Sequence, residues 1–273
     1  MTDAAAVKPL RWILNGPALQ TFATDPVSVR YFAGSRPFVL QRSGDPVRVP
    51  AAWDALPTRA FTSYRAMKRA FDSGKIGAGV KAIIYDNEHW NFTPAEEQVR
   101  SGAYAQLAAA LVHAHHMLLI STPATNLVRA AAPQEVDAGE ARYAAFLRLG
   151  IAADHAKAAD VIDLQAQGSE RDTGKYAAFV KSAAAQARSA NRHVLVLAGI
   201  STNPGGMRVT ADDVLRAIHA TQAYVDGYWF NVPRPSRYCP NCTEYRPDIA
   251  LDVLRRLQTE AAPGHTAERS TNP

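Results

Sequence analysis

The chain has 273 residues, 47% of them hydrophobic, and a formal net charge of +5 at pH 7. That composition fills a large buried core, as one barrel of roughly 250 residues or as two smaller domains. Lys and Arg are scattered among acidic residues, which favours a solvated basic surface over nucleic-acid binding, and no segment approaches the length of a membrane span. Met1 to Lys8 lacks the apolar stretch of a secretory signal, so the expected location is cytoplasmic and the protein soluble. No Ser/Gly/Pro-rich linker interrupts the middle. One domain over 1–260 is therefore expected, followed by a frayed tail over 261–273.

In chain order, Arg11 to Pro17 reads as a strand stopped by Gly-Pro, and Pro37 to Arg42 as a second. Phe61, Tyr64, Met67 and Phe71 recur at spacings of three and four, which predicts a helical stretch between Ala51 and Lys75. Lys81 to Glu88 is a strand that is apolar until it ends in Asp86-Asn87-Glu88. Alternation puts Ile84, Asp86 and Glu88 on one face and Ile83, Tyr85 and Asn87 on the other. Thr93-Pro-Ala-Glu96 reads as a helix start with Thr93 as N-cap, running towards His116.

Met117 to Thr122 is the next strand, and a long helix is expected within 139–158. In Asp160 to Gln167, Ile162 and Leu164 face covering helices while Asp163, Gln165 and Gln167 point into the barrel or its mouth. A helix over 175–191, a strand over 193–200 and a loop at Ser201–Gly206 follow. Thr210 opens a further helix, Val225 to Val232 forms the last strand, and a long loop over 233–247 leads into a closing helix. Alternating βα units imply a parallel sheet, and this number in this length favours a closed (β/α)8 TIM barrel. The eighth strand is the least distinct; Pro46-Val-Arg-Val49 is its candidate, the alternative being one degenerate unit. A Rossmann fold is disfavoured because Asn-Gly-Pro, not GxGxxG, follows the first strand.

Asp86-Asn87-Glu88 at a strand end, Leu164-Gln165-Ala166-Gln167 on a later strand and Gly227-Tyr-Trp229 on the last together resemble the glycoside hydrolase family 18 barrels. The resemblance implies a TIM barrel in which Glu88 protonates the leaving oxygen and Asp86 orients a substrate amide that itself attacks. Four features depart from the family pattern. Lys81 and Ile84 stand where the family has further aspartates, Gln167 stands for its tyrosine, an earlier Ser-x-Gly-Gly is lacking, and the acidic strand comes one position early.

Two like charges at a barrel mouth repel, which raises one pKa and leaves an acid beside a base; the bland alternative is a pair held by Arg or Lys. His89 suits a proton shuttle or a surface role, and Trp90 a stacking platform or a rim cover. Gln165 and Gln167 offer amides that donate and accept without titrating. Asn203, Tyr228, Trp229 and Asn231, with Asn15 and Gln41 closing the first two strands, complete the expected substrate-binding set. Ser201 to Gly206 fits a phosphate cradle only loosely, because the glycine pair lies several residues before the Thr210 helix. His113, His115 and His116 precede a strand and so belong at the opposite end of the barrel, which counts against a catalytic metal there. Cys239-Pro-Asn-Cys242 suits a free thiol pair or a local disulfide better than a thioredoxin or zinc site.

No metal and no cofactor are expected, and the expected partner is a small-molecule or glycan substrate. The favoured activity is acid/base cleavage of a small glycoside or related polar metabolite. The alternatives are a lyase, isomerase or cyclase using the same carboxylates, and a barrel that binds carbohydrate without turnover.

Overall fold

The computed structural model describes residues 9–41, 48–137, 141–237, 239–242 and 244–261. Eight parallel strands close a barrel in chain order, and the last returns to pair with the first. They are β1 (Arg11–Leu14), β2 (Phe38–Leu40), β3 (Leu56–Phe61), β4 (Ala82–Tyr85), β5 (Leu118–Ser121), β6 (Val161–Leu164), β7 (Leu195–Ser201) and β8 (Gly227–Asn231). The described helices are α1 (Gly16–Thr24), α2 (Pro26–Tyr31), α3 (Tyr64–Asp72), α4 (Ala95–Val99), α5 (Ser101–Ala114) and α6 (Val128–Ala131). They continue with α7 (Pro133–Asp137), α8 (Arg142–Arg148), α9 (Ile151–Ala156), α10 (Thr173–Ala190), α11 (Ala211–Thr221) and α12 (Pro247–Glu260). This is the expected (β/α)8 architecture.

Strand alternation sorts the core into two layers. Ile13, Phe38, Ala82, Ile84, Ile120, Val161 and Leu197 meet inside the barrel. Their strand neighbours, among them Ile83, Tyr85, Ile162, Leu164, Tyr228 and Phe230, turn outward under the helices. Each side chain of this size contributes about 1.5–3 kcal/mol when fully buried. Thr210 begins α11 as expected: its hydroxyl accepts from the Asp213 N–H while the Asp213 carboxylate accepts from the Thr210 N–H, a reciprocal cap. Among the described residues, no helix is long and apolar enough to cross a membrane.

Four expectations are corrected. The third strand is Leu56–Phe61, inside the stretch expected to be helical, and the helix there is confined to Tyr64–Asp72. Of the candidate at 46–49, residues 46 and 47 lie outside the described residues and 48–49 are not strand. Pro57 disguises the strand because it lacks an N–H, yet pairing to β4 begins only at Thr58 with Ala82, so that donor is not needed.

Thr93 caps no helix. Its hydroxyl donates instead to the Thr62 carbonyl at 2.7 Å, and the expected helix is split at Arg100 into α4 and α5. The expected helix within 139–158 is two, parted at Gly150, whose φ of +64° suits glycine and breaks the run; residues 139 and 140 lie outside the described residues.

Candidate active site

The strand ends of β4, β5 and β6 converge on one hydrogen-bonded group at the mouth. Asp86 follows β4, and its backbone N–H still donates to the Phe61 carbonyl at 2.8 Å, which holds it in strand register. Ile84 points inward, so Asp86 two residues on does the same. Its Oδ1 accepts from the Thr122 hydroxyl at 2.9 Å and from the Gln165 amide at 3.0 Å. That amide also donates to the Thr122 carbonyl at 2.9 Å, and Gln167 donates to Gln165 Oε1 at 3.4 Å.

Glu88 lies one alternation further up the mouth. Burial pushes its carboxyl well above the usual range, the Asp86 charge pushes it further, and hydrogen bonds from Asn126 and Gln165 pull part of the way back. Burial also raises Asp86, against the opposing hydrogen bonds of Thr122 and Gln165. Neither carboxyl owes its state to a basic residue. Low dielectric raises both, and the Asp86 charge adds to Glu88 alone, which makes Glu88 the stronger holder of its proton.

Beneath this pair lies a third carboxyl. Asp163 in β6 is 0% exposed, and neither of its oxygens has a hydrogen-bond partner. Burial first and the Asp86 charge second raise it well above the ordinary aspartate range, so it is carried as the neutral acid. Thr122 and Asn126 are site residues that sequence reasoning missed. Thr122 had a usable signal, its inward register at the end of β5, whereas Asn126 sits in a short turn after that strand where no periodicity applies.

The other expected residues divide. Trp229 packs against the interior cluster with its indole nitrogen unpaired, and Asn231 accepts from the Asn15 amide at 2.7 Å across the seam of β8 and β1. The Gln167 carboxamide folds over Gly199, where a Cβ would stand 2.0 Å from its oxygen. Gln41 closes β2, its N–H donating to the Thr58 carbonyl at 2.9 Å, and is half-buried. Asn203 is buried, and its amide donates to the Glu244 carbonyl at 3.0 Å, tying the loop after β7 to the loop after β8. His89 is exposed and meets Gln98 Oε1 at 2.6 Å, while Trp90 donates to the Thr93 hydroxyl at 2.8 Å and lies edge-on to Phe92.

Tyr228 does not belong to the mouth. It faces the helices, fully buried, with its hydroxyl donating to the Ile218 carbonyl and paired with Thr221, each at 2.9 Å. It alternates with Trp229, so the two cannot share a face. At the opposite end of the barrel His113 pairs with Asp160 and His115 stacks on Phe71. Among the described residues, no group of three or more His, Cys, Asp and Glu is placed to hold a metal ion. Cys239 and Cys242 form a disulfide within the loop after β8.

No family model and no curated protein matches this sequence. Solved structures do match. A curdlan-specific exo-β-1,3-glucanase from Blastomyces gilchristii is 14% identical, covers 82% of this chain and 90% of its own, and has a TM-score of 0.47. Hydroxymethylglutaryl-CoA lyase from Pseudomonas aeruginosa is 11% identical, covers 82% and 76%, and scores 0.46. The PgaB glycoside hydrolase domain from Bordetella bronchiseptica is 8% identical, covers 90% and 98%, and scores 0.45. Likeness at this level carries no argument about chemistry.

Proposed function

We propose that the barrel mouth is an acid/base active site that cleaves a small glycoside or a related polar metabolite. One arrangement carries this reading: two adjacent carboxyls without a cation, in which Asp86 collects two donors and Glu88 keeps its proton. A neutral acid beside an anion is the pairing that acid-catalysed C–O cleavage requires.

Glu88 gives its proton to the leaving oxygen as the C–O bond breaks, and Asp86 stabilises the positive charge that develops at carbon or orients a substrate amide towards it. Water then adds its oxygen to that carbon and returns a proton to Glu88. Gln165 holds Asp86 in place, and Gln167, standing for the tyrosine of family 18, offers its amide to the substrate. Trp229 supplies an apolar floor, with Asn15 and Asn231 at its edge.

Glu88→Gln tests the reading on a panel of small glycosides. It should abolish turnover while ligand affinity stays within about threefold, because the amide keeps shape but has no proton to give. Solvent labelled in oxygen should place one label in the product, whereas a lyase or isomerase would place none. Undiminished turnover by Glu88→Gln removes Glu88 as the acid.

A further inference from the structure

Between the two acids stands Asn87, and alternation sends its side chain the other way, outward under the helices. There it is 0% exposed, and its amide donates to the Tyr85 hydroxyl at 2.9 Å and to the Glu97 carbonyl at 3.0 Å. The Tyr85 hydroxyl donates in turn to Glu97 Oε2 at 2.9 Å. Glu97, itself 2% exposed, accepts the Tyr64 N–H at 2.6 Å and the Arg65 N–H at 3.2 Å. Its carboxylate therefore rests on the free N–H groups of the first turn of α3, which stabilise an anion. The next residue, Gln98, grips the remainder of the loop, its amide donating to the Trp90 carbonyl at 2.9 Å and the Thr93 carbonyl at 2.7 Å.

We propose that Tyr85, Asn87 and Glu97 are positioning residues for the acid pair. Asn87 follows β4 and stays in line with it, its carbonyl accepting the Ala124 N–H at 3.0 Å, so a side chain held outward there turns its neighbours Asp86 and Glu88 inward together. Capping α3 does not require this link, because the Ser63 hydroxyl already accepts the Ala66 N–H at 3.1 Å and Glu97 takes two further N–H groups. Neither Tyr85 nor Asn87 takes an N–H of α3; through Glu97 Oε2 and the Glu97 carbonyl they add a connection from α3 to the segment carrying the carboxyls. The proposal rests on Asp86 and Glu88 being the reacting groups. The titratable and charged groups around the clamp are Tyr85, Glu97, Tyr104, Glu96 and Arg100, and the one facing Glu88 is Asp86.

Two variants of the full chain separate positioning from stability. Tyr85→Phe removes the bridge from Asn87 to the Glu97 carboxylate, leaving only the bond to the Glu97 carbonyl, and keeps the Ser63 cap of α3; Ser63→Ala weakens that cap and leaves the bridge. The readouts are the titration of Glu88, followed by carboxyl carbon NMR and assigned with Glu88→Gln, and kcat and KM separately. Tyr85→Phe should lower the Glu88 midpoint by about one unit as the loosened segment admits water. It should also lower kcat by about 10- to 100-fold with KM little changed. Ser63→Ala should lower the denaturation midpoint and move neither. An unmoved Glu88 midpoint in Tyr85→Phe, or equal shifts in both variants, overturns the proposal. A Glu88 midpoint that moves in Tyr85→Phe alone, together with full turnover by Glu88→Gln, upholds the clamp and discards the acid/base reading instead.

Discussion

Asp163→Asn isolates the proton that the barrel interior keeps. In the unfolded chain this carboxyl has the ordinary aspartate value of 3.8, whereas in the folded barrel burial and the Asp86 charge hold it protonated. The folded state then binds a proton that the unfolded state has lost. Stability from this group is complete below the unfolded value and drains away as pH rises towards the native one. While the fold keeps the proton and the unfolded chain does not, the loss runs at about 1.4 kcal/mol per pH unit.

Asparagine matches the neutral acid in size and polarity but does not titrate, so the loss should vanish. The variant should equal the parent at about pH 4 and gain on it steadily as the pH rises to about 7. Urea unfolding of both proteins at intervals of about one unit across that range measures the difference directly. Two stability curves that run parallel would falsify the claim. They would mean that Asp163 is ionised in the fold and paired with a group not seen beside it.

Other consequences follow from the same geometry. The acid pair loses its two protons near about 6 and about 8, so turnover should rise through the first and fall through the second. Asn126→Ala removes a donor that favours ionised Glu88, so the falling limb should move up by about half a unit to one unit; a stationary limb counts against that contact. In Gly199→Ala the new Cβ would stand 2.0 Å from Gln167 Oε1, the far end of a flexible side chain, so Gln167 should swing out while the barrel stays folded. Ligand affinity should then fall by about tenfold, and calorimetry showing no change would take Gln167 out of the site. Cys242→Ser opens a short disulfide ring, so urea unfolding should report a loss of about 2 kcal/mol at most.

Local covalent geometry made much of the barrel legible. The period of two in Asp160 to Gln167 correctly separated Ile162 and Leu164, under the helices, from Asp163 and Gln165, inside. The same rule put Asp86 on the face of Ile84, which is the inner one, and capping chemistry identified Thr210 as a helix start. It failed where a local signal was ambiguous. Phe61, Tyr64, Met67 and Phe71 have helical spacing, yet Phe61 ends a strand, and Pro57 argued against that strand without a view of where its neighbour begins. Thr93 fits a cap by its neighbours, but its hydroxyl found the Thr62 carbonyl 31 residues away.

The state of the carboxyls was beyond any such rule. Thr122 lies 36 residues from Asp86 and Gln165 lies 79, and no spacing along the chain foretells that these distant donors reach it. That Asp163 has no partner at all is likewise a property of what seven other strands bring to it. Chain chemistry by itself determined which side chains face the axis, because alternation follows from the backbone of each strand alone. Closure of the barrel decided which of those side chains are paired, dry or charged, because hydrogen bonds and desolvation depend on neighbours that only the folded ring assembles.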